Sequence, residues 1–183
     1  FMIKNLLKKL KIDKDNYLCK CCWEKHEKWP ALAHDAPLPY LQLSEEQKKE
    51  SAEIATDFCH IQREWVDDYY FVRTVMVQKV NDFCNDLEYG VWVSLSKANF
   101  EEYKANFWNT DFKKGCFWWL CNIIPEYKTW ATIPMNVNID NTLKQRPLVE
   151  PHQDFEHMFI KDFYDWITYE EAQARVNSVI SKK

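Results

Sequence analysis

Only two glycines, Gly90 and Gly115, occur in the 183 residues of this chain. Phosphate-cradling P-loops and dinucleotide fingerprints need several glycines gathered in one short turn, so both are excluded. The Gly-x-Ser-x-Gly elbow that presents a serine nucleophile is excluded on the same ground. No apolar run approaches the ~20 residues of a membrane-spanning helix, so no stable membrane insertion is expected. Basic charge is also short: 24 Lys and Arg stand against 28 Asp and Glu, for a net charge of -4 and a pI near 5.8. Outside the lysines between positions 4 and 11 no basic stripe exists to release counterions from a phosphate backbone. Nucleic acid is therefore not an expected partner, and a basic protein surface is the easier electrostatic match. Residues 2 to 10 interleave lysines with Ile and Leu instead of forming an apolar core before a small-residue cleavage site. That pattern predicts no secretory leader and a cytoplasmic location.

Aromatic residues, by contrast, are abundant: nine Trp, nine Tyr and eleven Phe in a chain that is 46% hydrophobic. Most must fill a core, and so many amphipathic rings predict that some line a groove or a partner-facing patch. Ile3, Leu6, Leu7 and Leu10 recur at helical spacing, which predicts an amphipathic helix over 1–16. The remainder, 17–183, reads as one domain. Ser44 followed by Gln47 is a capping box that predicts a helix from 45 to about 56. The β-branched and aromatic stretches at 69–77, 91–95, 116–122, 132–139 and 147–150 predict strands. Ser96 is placed to cap a helix carrying Phe100, Tyr103 and Phe107, and Thr168 with Glu171 caps a terminal helix. Strands in the middle and helices at the ends give an α+β class, an antiparallel sheet with flanking helices and an N-terminal Cys/His knuckle.

Several short motifs combine along the chain. They are Cys19-x-x-Cys22-x-x-x-His26, Asp57-x-Cys59, Phe71-x-Arg73, and Gly90-Val91-Trp92-Val93-Ser94-Leu95-Ser96 with Asn99-Phe100. Farther on stand Trp119-Leu120, Pro125-x-Tyr127, Arg146-Pro147 running to Glu150, and His157. Together, over about 17 to 181, they resemble the bacterial domain-of-unknown-function family 2199. Two positions depart from the pattern that resemblance implies, since Thr74 and Trp118 stand where glycines are usual. The resemblance implies a fold and no assigned activity.

Cys19, Cys22 and His26 have the spacing with which a short turn offers two thiolates and an imidazole to a tetrahedral zinc ion. A structural zinc needs a fourth ligand, for which Cys59 is the first choice, with His60 and Cys21 behind it. The other cysteines are expected as reduced thiols. Arg73 lies inside an apolar strand, where an unpaired charge is costly, so it is expected to meet a carboxylate or an anionic ligand. Arg73, Trp92 and His157 are the candidate binding residues, and no catalytic residue is assigned. The composition favours a non-catalytic protein-binding domain, with an immunity protein that neutralises a bacterial toxin as its concrete form. The alternative is a metal-dependent enzyme working at the Cys/His site.

Overall fold

The computed structural model describes residues 16–18, 25–27, 29–127 and 132–180. Most of the helix expected over 1–16, together with Cys19 and Cys22, lies outside the described residues. Asn16–Leu18 is a strand, β1, paired antiparallel with β2, Lys25–Glu27. Next come β3 (Leu32–Ala33), α1 (Leu38–Leu41), α2 (Glu45–Ser51), β4 (Ala52–Ile54) and β5 (Phe58–Ile61). The long strands β6 (Tyr69–Gln78) and β7 (Leu87–Leu95) lead to α3 (Lys97–Ala105). The chain then makes β8 (Lys113–Leu120), β9 (Pro134–Asp140), a 3-10 turn (Asn141–Leu143) and β10 (Leu148–Pro151). It ends with α4 (Met158–Asp165) and α5 (Tyr169–Ile180). No helix among the described residues is long and apolar enough to cross a membrane.

Strands β6 to β10 form an up-and-down meander that closes on itself, because β10 pairs back onto β6. In a meander of five strands the first and last point the same way, so the closing pair has to be parallel. The simple antiparallel sheet expected from the sequence is therefore a closed barrel with one parallel seam. Closure removes the exposed edges that an open meander would leave. Inside, Val72, Met76, Val91, Val93, Trp118, Met135, Ile139 and Val149 are all at most 1% exposed. The interior is a packed core, as a barrel of so few strands requires, so any binding surface lies outside the wall. Thr74 and Trp118, the two departures from the glycine pattern, both belong to this filling. The Thr74 hydroxyl donates to the Val91 carbonyl at 3.1 Å, and the indole of Trp118 is 1% exposed.

β6 has more length than any one neighbour can cover on its second side. Tyr69 to Val72 pair with β5, and Val75 and Met76 pair with β10. Between them the Arg73 amide donates to the Asp57 carbonyl at 3.0 Å, and the Val75 amide to the Pro147 carbonyl at 2.9 Å. The hairpin β4–β5 thus leaves the barrel where β10 enters it, and a crevice opens at the fork.

Outside the wall, Cys59, Ile61, Phe71 and Trp92 make a second apolar cluster beneath Tyr40 and Leu43 of the α1–α2 segment. The parallel pairing of β3 with β7 brings that segment in, and Gly90 permits it. A Cβ there would sit 3.0 Å from the Ala33 Cβ and 3.3 Å from its Cα. Gly90→Ala is expected to cost about 1–3 kcal/mol by this overpacking. Chemical denaturation measures that loss, and earlier amide exchange at His34, whose N–H donates to the Gly90 carbonyl, would locate it.

At the other end, α4 and α5 are fastened through Arg175, which is 3% exposed. Its Nε donates to Glu171 at 2.8 Å, Nη2 to the Tyr127 hydroxyl at 2.8 Å and Nη1 to the Tyr89 hydroxyl at 3.3 Å. Tyr127 in turn donates to Asp162 at 2.6 Å. Burial is the main reason the Tyr89 phenol is pushed up to about 12, so it stays a neutral partner of the guanidinium.

Candidate functional site

The residues singled out in the sequence do not gather in one place. Arg73 and Trp92 face each other across β6 and β7 on the outside of the wall. Trp92 is completely buried, its indole N–H donating to the His34 carbonyl at 3.1 Å and its amide to the Asn122 side chain at 2.6 Å. Its surface is used up in holding the covering segment. His157 is the N-cap of α4, where its Nδ1 accepts the Phe159 amide at 3.1 Å. Ring contact with Tyr127 at 6.2 Å places it beside the Arg175 network and not beside Arg73.

Of the expected metal ligands, Cys19 and Cys22 lie outside the described residues, as does the side chain of His26, whose backbone pairs with Tyr17. Cys59 is 1% exposed and sits among Ile61, Phe71 and Trp92, where burial pushes its thiol up to about 12. Among the described residues no group of three or more His, Cys, Asp and Glu is arranged to hold a metal ion. Cys84 is disulfide-bonded, a departure from the reduced thiols expected, whereas Cys59, Cys116 and Cys121 are free.

Arg73 finds no carboxylate within ion-pairing distance among the described residues. Asp57, whose backbone carbonyl accepts the Arg73 amide, is paired through its Oδ1 with the Nε of Arg146. Burial first, and then the Arg146 charge, hold the Arg73 guanidinium below its ordinary value. The same cation acts on His34, whose imidazole is held down to about 4 by burial first and Arg73 second. The sign of the resulting pH dependence is fixed. In the unfolded chain this imidazole takes up a proton below about 6.5, and in the folded protein only near 4, so stability falls as pH falls through that window. The expected loss is at most about 3 kcal/mol, and His34→Gln should flatten that part of a plot of melting temperature against pH. An unchanged slope in the variant would assign the acid sensitivity elsewhere.

The surface with the chemistry of an interface is the outer face of β8, β9 and β10, which the sequence reading did not single out. Strand alternation sends Cys116, Trp118 and Leu120 toward the interior, leaving Phe117 and Trp119 on the outside, 49% and 40% exposed. Their rings meet edge to face at 5.0 Å, and His152 packs edge-on against Phe117 at the same distance. Beside Phe117 lies Gly115, and a Cβ there would meet nothing within 4 Å. The missing side chain opens a concavity of about 480 Å³ bordered by Asn136, Asn138, Leu148 and Glu150. Glu150 makes no ion pair among the described residues. Rigid aromatic rings beside a hole, rimmed by amides and one free carboxylate, form a surface suited to an inserted side chain. Trp65, 97% exposed, stands in the β5–β6 loop without such surroundings.

These features define a small α+β barrel domain with helices docked on one end and an aromatic face on its wall. The chain belongs to the bacterial family described as "Uncharacterized protein conserved in bacteria", DUF2199, whose profile matches residues 18–167. No curated protein and no solved structure matches the chain.

Proposed function

We propose that this protein is a non-catalytic binding domain that seats a protein partner on the outer face of β8, β9 and β10. The observation that carries this reading is the exposed pair Phe117 and Trp119 beside the concavity at Gly115. Aromatic anchors on a strand are held rigidly, so little side-chain freedom is lost on contact. Glu150 at the rim and the net charge of -4 favour a partner that inserts an apolar side chain flanked by Lys or Arg. Neutralising a bacterial toxin is the concrete activity that fits a small acidic binder, and the cytoplasm is the compartment that goes with it. Bacteria producing the captured partner should survive when this chain is co-expressed and lose that protection with Phe117→Ser or Trp119→Ser. Protection that survives both substitutions would remove the face from the interaction. A zinc ion in this reading would be structural, held by Cys19, Cys22 and His26 with Cys59 as the fourth ligand.

A further inference from the structure

The crevice at the fork of β5 and β10 is a separate feature from the aromatic face. It encloses about 700 Å³, the size of a small-molecule site. One wall is the segment after α3 with Phe107 and Trp108, and the other is the turn leading to Arg146. The Asn141 side chain ties the two together, donating to the carbonyls of Asn106 and Asn109 at 2.9 Å each and of Phe107 at 3.4 Å. The crevice is therefore preformed. Its mouth carries Trp108, an indole 88% exposed, over an apolar floor that includes Val75.

Charge in the crevice is unbalanced. Asp57 is its one carboxylate, and it engages only the Nε edge of Arg146, which orients the guanidinium and leaves its terminal nitrogens without a partner among the described residues. Lys144 adds a second cation and makes no ion pair among the described residues. Its backbone is left-handed, φ 52° and ψ 38°, a conformation that costs a non-glycine residue about 1 kcal/mol. Arg73 adjoins from β6, close enough for its charge and that of Arg146 to oppose each other; the charges of Asp57 and Asp35 reach it, but neither makes an ion pair with it. Two lining cations against one carboxylate, beside an uncovered indole, match a ligand with an oxyanion at one end and a flat ring at the other.

We propose that this crevice binds a small aromatic anion, with Arg146 and Lys144 holding the carboxylate or phosphate and Trp108 lying against the ring. The test uses the full-length, 15N-labelled protein and follows the indole N–H signal of Trp108, assigned with Trp108→Phe. Benzoate and phenyl phosphate are titrated separately, with benzamide as the neutral isostere. A saturable shift by at least one anion, with an affinity of about 1 mM or tighter, is expected. Which anion acts identifies the carboxylate or the phosphate as the group held. Arg146→Gln should weaken it at least tenfold. Lys144→Gly should weaken it too while raising the melting temperature, because glycine accepts the left-handed backbone. That opposition separates a ligand-binding lysine from a structural one. No shift with either anion up to about 10 mM would overturn the proposal. So would equal binding of benzamide, or unchanged affinity in both folded variants.

Discussion

Arg175→Ala is expected to produce the largest loss of stability of any single substitution considered for this protein, about 3–5 kcal/mol. The guanidinium is 3% exposed and joins residues of three elements, Glu171 on α5, Asp162 on α4 through Tyr127, and Tyr89 on β7. Truncation removes the charge and leaves buried hydroxyls and a carboxylate without their donor, which is more costly than the network is worth as a whole. A chain of this size should lose roughly 10 °C of melting temperature. Scanning calorimetry with Glu171→Gln as a companion checks the assignment. Glu171 is 47% exposed at its side chain, so its loss should cost about 1 kcal/mol or less. If Arg175→Ala costs no more than Glu171→Gln, the two helices are held by apolar contact alone.

The second large effect is expected on binding and not on folding. Gly115→Arg should leave the melting temperature within about 2 °C of the parent, since an added Cβ meets nothing and φ at Gly115 is not positive. Glycine is a weak strand former, so the replacement relieves a small propensity deficit. The arginine side chain would stand over the concavity beside Phe117 and bring a cation to a face proposed to receive one. Partner affinity should fall about 100-fold or more, the scale of a blocked hot spot. The contrast with Gly90 sharpens the point. Both glycines lie in strands, yet one is needed because Ala33 presses on it and the other because its emptiness shapes the surface.

Sequence pattern carried much of this fold where local chemistry decides structure. The Ser44 capping box closes as expected, the hydroxyl accepting the Gln47 amide while the Gln47 side chain accepts the Ser44 amide. Ser96 and Thr168 likewise accept from the amides three residues on. Helix α2 stops at Ser51, short of position 56, because Ala52 to Ile54 are drawn into pairing with β5. Helix α4 was missed because its cap is an imidazole, His157, and not one of the hydroxyl or carboxamide residues that announce a helix start. Closure of the barrel was illegible for another reason, since the seam between β10 and β6 pairs segments some seventy residues apart and only the three-dimensional path of the meander brings them together.

The site was harder still. In β8 both alternating sets are apolar, Cys116, Trp118 and Leu120 on one side and Phe117 and Trp119 on the other, so the sequence holds no polarity with which to tell wall from surface. Arg73 was marked by its apolar neighbours, but which acid it would meet depended on the fork that hands Asp57 to Arg146. His157 and Trp92, chosen for their chemistry, turned out to be a helix cap and a buried strut.

A photo-crosslinking phenylalanine analogue at position 117, in bacteria that carry the native gene, tests most directly whether the barrel wall meets a protein. A matching analogue at position 50, on the solvated face of α2, serves as the reference. One discrete adduct from position 117, absent from position 50 and lost when Gly115→Arg is added, is the expected result. No adduct from position 117, or the same adducts from both positions, would contradict a partner seated on Phe117 and Trp119.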